Sequence, residues 1–362
     1  MELNSFSPEE LAIEDPKAQG YGNLKFYHFK SEPFRIYGLY DAKSLNRKHC
    51  IRMPEEVAKS VSAAVESLNL QTAGGRVRFV TDSPCLAIKM TRSPRVSGLN
   101  FSPIGRGGMD AYIKRGEVGE QVFYATFSPS QDLAAIDKFI NLPAGNKQIT
   151  LNLPNYSGVT DLYIGLDSNA SLERHPDYSI EKPVLYYGSS ITQGGCASRP
   201  GMSYENIISR RLDINYLNFG FAGSAKAEDE IVNYMAGLDF SVFVCDYDHN
   251  APTVEHLNDT HEKMYLKIRE KHPDVPVIFV TRPNFWLRSN ECLQRRDIIY
   301  NTYINAQNRG ENVIFIDGYS LFAGRNREDC TVDGTHPNDL GMLRMAEVIG
   351  KAVEYALRDI NV

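Results

Sequence analysis

The sequence predicts a two-part α/β protein, in which a β-sandwich precedes a domain with a five-stranded parallel sheet. With 362 residues, the chain is longer than one domain usually is. Short β-rich runs alternate with turns in its first half, whereas apolar strands alternate with helical patterns in its second half. A segment rich in proline and charge, ERHPDYSIEKP, separates the two patterns. We therefore expect one domain over residues 1–175 and a second over residues 180–362.

Seven β-rich segments lie between about residues 23 and 170. They read PFRIYGLY, GRVRFVT, CLAIKM, MDAYIKRG, QVFYATFS, KQITLNL and TDLYIGLD. Short strands at this density are typical of a β-sandwich, here expected to be jelly-roll-like. One segment differs, because MPEEVAKSVSAAVESLN has apolar residues at helical spacing, namely Val57, Val61, Val65 and Leu68. It predicts a single helix among the strands.

The second half predicts five strands, joined by helices. The strands are expected at residues 184–187, 214–218, 241–246, 275–281 and 312–317. Helical patterns lie near residues 203–212, 225–236, 253–271 and 290–309. In the last helix, residues 338–358, apolar residues recur at spacings of four and three: Met342, Ala346, Ile349, Val353 and Ala356. Strands joined by helical crossovers form a parallel sheet that is covered on both faces.

Composition and charge exclude several classes of partner. The net charge is -6, and no cluster of Lys and Arg is present, which argues against nucleic-acid binding. No apolar run approaches the roughly 18 residues that span a membrane, and the N-terminus lacks the order of a secretory signal. We expect a cytoplasmic protein, although a secreted chain trimmed of its signal would look the same. The six cysteines form no CxxC pair, which favours reduced thiols.

Ligand sites in open α/β sheets lie beyond the carboxyl ends of the strands. The segments after the first four predicted strands read GSSITQGG, NFGFAGSA, DYDHNAP and TRPNF, and DGTHPND precedes the last helix. GSSITQGG fits neither a phosphate loop, nor a dinucleotide fingerprint, nor the GxSxG elbow. A serine on a tight strand-to-helix turn is well placed to act as a nucleophile, although Gly-Ser-Ser by itself is more often a simple turn.

Asp333 and His336 are an acid and an imidazole three residues apart. A hydroxyl nucleophile needs a neighbouring base, and that base needs a third group to orient it. The Asp-x-x-His pair can provide both from one loop. The alternative interpretation is a helix cap followed by a surface histidine.

These segments resemble, in chain order, the four sequence blocks of the SGNH (GDSL-type) hydrolases. The matching residues are Gly188-Ser189-Ser190-Ile191-Thr192, Asn218-Phe219-Gly220-Phe221-Ala222-Gly223, Asn250, and Asp333-Gly334-Thr335-His336-Pro337. The resemblance implies a flavodoxin-like sheet, with Ser190 as the nucleophile, His336 as the general base and Asp333 as its partner. It also implies an oxyanion hole made by Ser190, the Gly223 N–H and the Asn250 side chain.

The sequence departs from the family pattern in two blocks. Gly-Ser-Ser replaces the usual Gly-Asp-Ser, so the acidic residue before the nucleophile is missing. The third block, usually glycine-x-Asn-Asp, reads DYDHN here, so Asn250 is chosen by its position.

The first half carries a second resemblance. Gly108-Met109-Asp110-Ala111-Tyr112 is similar to the glycine-x-Asp-Leu-Tyr motif of a β-rich domain that precedes some SGNH esterases, with Ala111 in place of leucine. The two resemblances imply a serine ester hydrolase that works through an acyl-enzyme without a cofactor. The expected substrate is a short acyl ester, with an O-acetylated carbohydrate first. An acyltransferase, a lipase-like esterase and a non-enzymatic carbohydrate-binding protein are the alternatives.

Two further features leave other interpretations open. Five potential metal ligands lie within sixteen residues: Asp246, Asp248, His249, His256 and His261. Their spacing does not match the HExxH motif. The last two histidines are five residues apart, whereas a spacing of four aligns ligands on one helix face, so we predict no metal site. The two aspartates are expected to organise the loop by hydrogen bonds. Arg282 either contacts substrate or pairs with an acidic loop residue.

Overall fold

The computed structural model describes residues 5–7, 10–11, 23–44, 46–92, 100–115, 119–131, 134–283 and 289–358. The chain divides into two compact units. The first unit comprises Met1–Ile51, Leu70–Asp177 and Arg199–Gly201. The second unit comprises Arg52–Asn69, Tyr178–Ser198 and Met202–Val362. The main division lies at the connector seen in the sequence, but two segments group with the unit on the other side of it.

The first 177 residues form two antiparallel sheets. Their strands are β1 Ser5–Phe6, β2 Leu24–His28, β3 Arg35–Tyr37, β4 Arg76–Thr81, β5 Cys85–Arg92, β6 Met109–Arg115, β7 Val122–Phe127, β8 Ala135–Asn141, β9 Lys147–Asn152, β10 Val159–Asp167 and β11 Leu172–Glu173. Their helices are α1 Glu55–Val61, α2 Ala63–Asn69 and α3 Pro103–Gly107. One sheet has the order β1-β2-β10-β5-β8, and the other has the order β11-β4-β9-β6-β7 with β3 paired to β4. The β-rich character of this half is confirmed.

One apolar core draws side chains from both sheets of the first unit. Ile88 and Ile164 come from one sheet, and Phe79 and Ile149 come from the other. All four are buried, as expected for the inward-facing residues of alternating strands. The jelly-roll-like sandwich itself stays a prediction.

The predicted single helix over residues 53–69 is wrong in two respects. Ser62 adopts an extended conformation (φ −173°, ψ 160°) and separates α1 from α2. Its hydroxyl accepts the Val65 N–H at 3.1 Å, so a local cap competes successfully with a continuous helix. The pair of helices also packs on the core of the second unit, to which it contributes Met53, Ala58 and Val65, rather than among the strands.

The second unit is built on a five-stranded parallel sheet, as predicted. The strands are β12 Ile180–Gly188, β13 Ile214–Gly220, β14 Val242–Asp246, β15 Val277–Val280 and β16 Val313–Ile316. The helices are α4 Tyr204–Leu212, α5 Asp229–Ala236, α6 Val254–Lys271, α7 Ser289–Asn308, α8 Gly318–Leu321 and α9 Asp339–Arg358. The strand order β13-β12-β14-β15-β16 is the flavodoxin-like one, which reverses direction next to β12. Ligands bind such sheets beyond the carboxyl end at this reversal.

Alternate residues of β12 supply the two apolar cores of the second unit. Leu185 and Tyr187 belong to one core, whereas Val184 and Tyr186 belong to the other. A strand buried on both faces reads as a continuous apolar run, which explains the sequence VLYY.

Two composition-based expectations can be compared with the structure. All six cysteines are free and buried. Among the described residues, no helix combines the length and the apolar character needed to cross a bilayer.

Candidate active site

Ser190 follows β12, an inner strand of the parallel sheet, and lies in a series of tight turns. Gln193 N–H donates to the carbonyl of Ser189 at 3.0 Å, and Gly195 N–H donates to that of Ser190 at 2.9 Å. The expected strand-to-helix turn is not formed, because the turns end at Cys196, a short 3₁₀ helix follows at Pro200–Met202, and α4 begins only at Tyr204. Ser189 is fully buried, and its hydroxyl accepts the N–H of Ile191. Ser190 is the half-buried serine of the two.

Glycine at position 188 allows this turn to fold tightly over the strand ends. A Cβ there would lie 2.1 Å from Thr192 Oγ1 and 2.5 Å from the carbonyl oxygen of Asp246. Both distances are far below van der Waals contact, so any side chain would push the Ser190 turn away from β14.

Asp333 and His336 lie on one loop that the aspartate itself organises. Asp333 Oδ1 accepts the backbone N–H of Thr335 at 3.0 Å and that of His336 at 2.8 Å. The α9 helix begins only at Asp339. The interpretation of Asp333 as a cap of that helix therefore does not apply.

The structure brings Ser190, His336 and Asp333 into one hydrogen-bonded line. Ser190 Oγ lies 2.8 Å from His336 Nε2, and His336 Nδ1 lies 2.7 Å from Asp333 Oδ2. The side chains of His336 and Asp333 are 25% and 24% exposed. This line gives the serine hydroxyl a ring nitrogen as hydrogen-bond acceptor.

Asp333 is ionised at neutral pH. Partial burial acts to raise the pKa of Asp333, but the hydrogen bonds from His336 and Thr335 outweigh it and lower the pKa to about 2. A carboxylate accepts hydrogen bonds only, so it favours the imidazole tautomer with the proton on Nδ1. The lone pair of Nε2 then faces Ser190 Oγ.

Further hydrogen bonds hold the serine loop against the histidine loop. Cys196 N–H donates to the Pro337 carbonyl at 2.9 Å. Ser198 donates to the Asp339 carboxylate from its N–H at 2.8 Å and from its hydroxyl at 2.6 Å. These contacts join residues that follow Ser190 in one loop to residues that follow His336 in the other. They therefore hold the two loops together beside Ser190 and His336.

Gly223 lies three residues after β13, in a left-handed conformation with φ +68°. The space around its missing Cβ is open. The requirement for glycine therefore comes from the backbone conformation rather than from crowding. The turn is anchored by Phe221, whose N–H donates to the Gly188 carbonyl at 2.9 Å.

Asn250 ends the short 3₁₀ turn that follows β14, Asp248–Asn250. Its Nδ2 donates to the Phe221 carbonyl at 2.8 Å. A side-chain amide has two N–H donors, so one such bond can fix the group while the second N–H serves a ligand. The register pairs Gly188 with both Gly220 and Asp246. The turns that carry Ser190, Gly223 and Asn250 therefore start at the same edge of the sheet.

Arg282 pairs with an acidic residue in the turn that follows β14. Its guanidinium donates to Asp248 Oδ1 at 2.7 and 2.9 Å, and its N–H donates to Oδ2 at 3.1 Å. Burial acts to raise the pKa of Asp248, but Arg282 outweighs it, and the pKa lies below its ordinary value. Of the two interpretations of Arg282, the structure selects pairing with the loop.

The other residues considered as metal ligands point to different partners. Burial, followed by the charge of Asp248, raises the pKa of Asp246 well above its ordinary value, and its carboxylate accepts the Thr192 hydroxyl at 3.4 Å. Burial and the charge of Arg282 lower the pKa of His249 to about 3. His256 Nε2 bonds the Lys226 carbonyl, and His261 Nδ1 lies 2.9 Å from Thr302 Oγ1. In the described part of the chain, no three His, Cys, Asp or Glu side chains form a metal-holding group.

Two protein-family profiles match the chain. Residues 181–354 match the GDSL-like lipase/acylhydrolase family. Residues 24–172 match the family described as the N-terminus of SGNH-hydrolase-type esterases. No curated protein matches the chain.

Solved structures with the same fold cover both halves of the chain. A Bacteroides ovatus protein assigned as a GDSL-like lipase is 28% identical with a TM-score of 0.82, and the match covers 93% of this chain and 98% of that one. A salicylyl-acyltransferase from a tetracycline biosynthetic pathway is 19% identical with a TM-score of 0.75, covering 92% and 97%. A family two carbohydrate esterase from Clostridium thermocellum, in complex with cellohexaose, is 14% identical with a TM-score of 0.58, covering 79% and 93%.

Proposed function

We propose that this chain, a carboxylic ester hydrolase, removes short acyl groups, acetyl first, from carbohydrate esters. It joins a GDSL-like lipase/acylhydrolase domain to the N-terminal domain of SGNH-type esterases. The reaction passes through an acyl-enzyme on Ser190. The observation that carries the proposal is the hydrogen-bonded line of Ser190, His336 and Asp333, with separations of 2.8 and 2.7 Å.

Acylation begins when Ser190 Oγ attacks the carbonyl carbon of the ester. His336 Nε2 takes the hydroxyl proton, and the π electrons of the carbonyl move to its oxygen. The Asp333 carboxylate stabilises the imidazolium that forms. When the tetrahedral intermediate collapses, the bond to the alcohol oxygen breaks, and His336 returns the proton to the departing alcohol.

Deacylation repeats these steps with water as the nucleophile. His336 takes a proton from water while the water oxygen attacks the acyl carbon of Ser190. Collapse of the second intermediate breaks the bond to Ser190 Oγ, which recovers its proton. The net reaction consumes one ester and one water and releases one acid and one alcohol, so it needs no oxidant, reductant or cofactor.

The oxyanion formed in both steps is held by the N–H groups of Ser190 and Gly223 and by Asn250 Nδ2. Donors preorganised around a developing oxyanion each contribute about 3–4 kcal/mol to the lowering of the barrier. Asn250 suits this role because its amide is held by the Phe221 carbonyl and donates without a charge.

The preference for short acyl groups follows from the loops around Ser190. GSSITQGG, GFAGSA and DYDHNAP are short and consist mainly of small or polar residues. Such loops offer few apolar contacts to an acyl chain, and each methylene that stays in water forgoes about 0.8 kcal/mol of binding. The carbohydrate alcohol is proposed by analogy with carbohydrate esterases of the same fold.

The test is a screen of the purified protein against acetylated oligosaccharides and aryl esters of increasing chain length, with mass detection of the released acid. We expect kcat/KM for acetyl and propionyl esters to exceed that for octanoyl esters by at least about tenfold. Ser190→Ala is the matched control and should release no acid above background. A preference for octanoyl esters would favour a lipase-like enzyme, and full activity of Ser190→Ala would reject the mechanism.

Acyl transfer to an alcohol is the second candidate. It is favoured by the likeness to the salicylyl-acyltransferase over 92% of the chain. Both reactions share the acyl-enzyme and differ only in whether water or an alcohol attacks it. Adding sugar or phenol acceptors to the aryl acetate assay separates them, because a transferase forms the new ester as its main product.

A further inference from the structure

Arg52 is a buried arginine that contacts the carboxyl end of β13. It is 2% exposed and lies shortly before α1, which begins at Glu55. Its Nη1 donates to the carbonyls of Asn218 at 3.1 Å and Gly220 at 2.6 Å. Its Nη2 donates to the carbonyl of Leu68 at 2.8 Å. One planar guanidinium therefore joins the end of β13, an edge strand of the parallel sheet, to the end of α2.

The same guanidinium stacks on the aromatic ring of Phe221. The guanidinium carbon lies 4.4 Å from the ring centroid, within the range of cation–π contacts. Phe221 is the residue that connects the three turns at the sheet edge. Its N–H donates to the Gly188 carbonyl at 2.9 Å, and its carbonyl accepts Asn250 Nδ2 at 2.8 Å.

The backbone that carries Arg52 is itself fixed by Asn69. Asn69 Oδ1 accepts the N–H of Arg52 at 3.0 Å and that of Met53 at 2.9 Å. Its Nδ2 donates to the Met53 carbonyl at 3.0 Å. Because Asn69 is buried as well, the arginine extends from a rigid support.

We propose that Arg52 is a positioning residue for the oxyanion hole, an inference that rests on the proposed function. It fixes the last carbonyls of β13 and the ring of Phe221. Phe221 in turn orients the Asn250 amide and starts the turn that presents the Gly223 N–H. A planar fork that donates to two carbonyls while its face stacks on a ring is available to arginine and not to lysine.

Arg269 offers a matched control in the same unit. It is also buried, at 7% exposure, and it also donates to backbone carbonyls, those of His272, Pro273, Val275 and Asn312. Val275 and Asn312 precede the starts of β15 and β16, at the amino edge of the parallel sheet. Arg269→Met therefore removes a comparable set of contacts far from the carboxyl edge.

The experiment compares Arg52→Met, Arg52→Lys and Arg269→Met on an aryl acetate, with rates expressed per burst-titrated site. We expect Arg52→Met to lower kcat by about tenfold to a hundredfold, less than the loss of an oxyanion donor itself, with KM changed less than about threefold. The kcat of Arg52→Lys should lie between those of Arg52→Met and wild type. Arg269→Met should lose stability and keep kcat.

Two readouts separate positioning from a structural role. A boronic acid that mimics the tetrahedral adduct should bind Arg52→Met more weakly by the same factor as the loss in kcat. A crystal structure of Arg52→Met should show a lengthened bond between the Phe221 carbonyl and Asn250 Nδ2, a result that needs no turnover. If Arg52→Met does not fold, Arg52→Lys carries both tests.

The inference is overturned if the Arg52 variants keep wild-type kcat, or lose no more kcat than Arg269→Met, with the Phe221–Asn250 bond unchanged. The proposed function would fail in a different way, by full turnover in Ser190→Ala.

Discussion

Asn250 is a polar side chain held at one N–H and able to donate the other. Its contact with the Phe221 carbonyl at 2.8 Å fixes the amide before substrate arrives. If it donates to charge that develops only in the transition state, Asn250→Ala should lower kcat by about 10²–10³ while KM changes little. Steady-state kinetics on an aryl acetate measure both quantities.

Asn215 provides the control for this substitution. Its Nδ2 donates to the Glu181 carbonyl near the amino ends of β13 and β12. Asn215→Ala should therefore leave kcat unchanged. An unchanged kcat in Asn250→Ala would mean that the third sequence block was placed on the wrong residue.

The low pKa of Asp333 predicts how the stability of the protein depends on pH. Its pKa of about 2 lies below the value of about 3.9 for an unfolded aspartate. The folded protein thus binds this proton less tightly, so Asp333 contributes stability above about pH 4 that is lost as the pH falls through about 2. The contribution should be about 1 kcal/mol, since the carboxylate is partly solvated.

Urea unfolding of wild type and Asp333→Asn between pH 2 and pH 7 tests this directly. The difference in unfolding free energy should be largest above about pH 5 and should shrink toward pH 2. A difference that stays constant over the whole range would contradict the assignment of the low pKa. Asp333→Asn should also lower kcat less than His336→Ala, since it leaves the proton acceptor in place.

The sequence blocks predict candidate site residues, but they do not predict the contacts that those residues make. Ser190, Asp333 and His336 could be selected because their chemistry and spacing are local. Arg282 could not be interpreted from sequence, because its partner Asp248 lies 34 residues away. Arg52 gave no local signal at all, since its contacts with Asn218 and Gly220 exist only after the strands have paired.

At the scale of elements, the turn after β13 depends on one left-handed residue. Gly223 and Gly310 have similar φ values, +68° and +74°, and open space at the Cβ position. Alanine at either position costs about 1 kcal/mol of stability through backbone strain. Gly223→Ala should additionally lower kcat several-fold, because relieving that strain would rotate the peptide whose N–H we propose as an oxyanion donor.

Gly310→Ala is the matched control, since Gly310 follows α7, away from the sheet edge that carries Ser190. Thermal unfolding and kcat measured on both variants separate strain from catalysis. Equal kcat values in the two variants would remove Gly223 from the oxyanion hole.

Strands were easier to predict than the placement of helices. The strands of the parallel sheet can be recognised in the sequence as continuous apolar runs, since both faces of each strand are buried. The apolar face of residues 53–69 was also recognisable, and Val65 is fully buried. Periodicity does not say which core a face packs against, and it did not detect the cap at Ser62 that divides the helix.

For the whole molecule, the division into units predicts which fragments can fold. Residues 52–69 contribute the fully buried Met53, Ala58 and Val65 to the core of the sheet unit. Burying a Met or Val side chain contributes about 1.5–3 kcal/mol, so losing this face removes much of the 5–15 kcal/mol typical of a domain. A fragment of residues 178–362 should therefore fail to unfold cooperatively.

The control fragment carries residues 52–69 joined by a glycine-serine linker to residues 178–362. It should recover cooperative thermal unfolding, followed by circular dichroism. The division into units would be contradicted if the shorter fragment unfolded as cooperatively, and at the same temperature, as the linked one.

The central claim is that Ser190 is the activated nucleophile, and covalent labelling tests it most directly. Ser190 Oγ lies 2.8 Å from His336 Nε2, whereas the buried Ser189 hydroxyl accepts the Ile191 N–H. An aryl phosphonate followed by peptide mass spectrometry should modify Ser190 alone. Labelling should disappear in Ser190→Ala and persist in Ser189→Ala. An adduct on Ser189, or undiminished labelling of Ser190→Ala, would contradict the account.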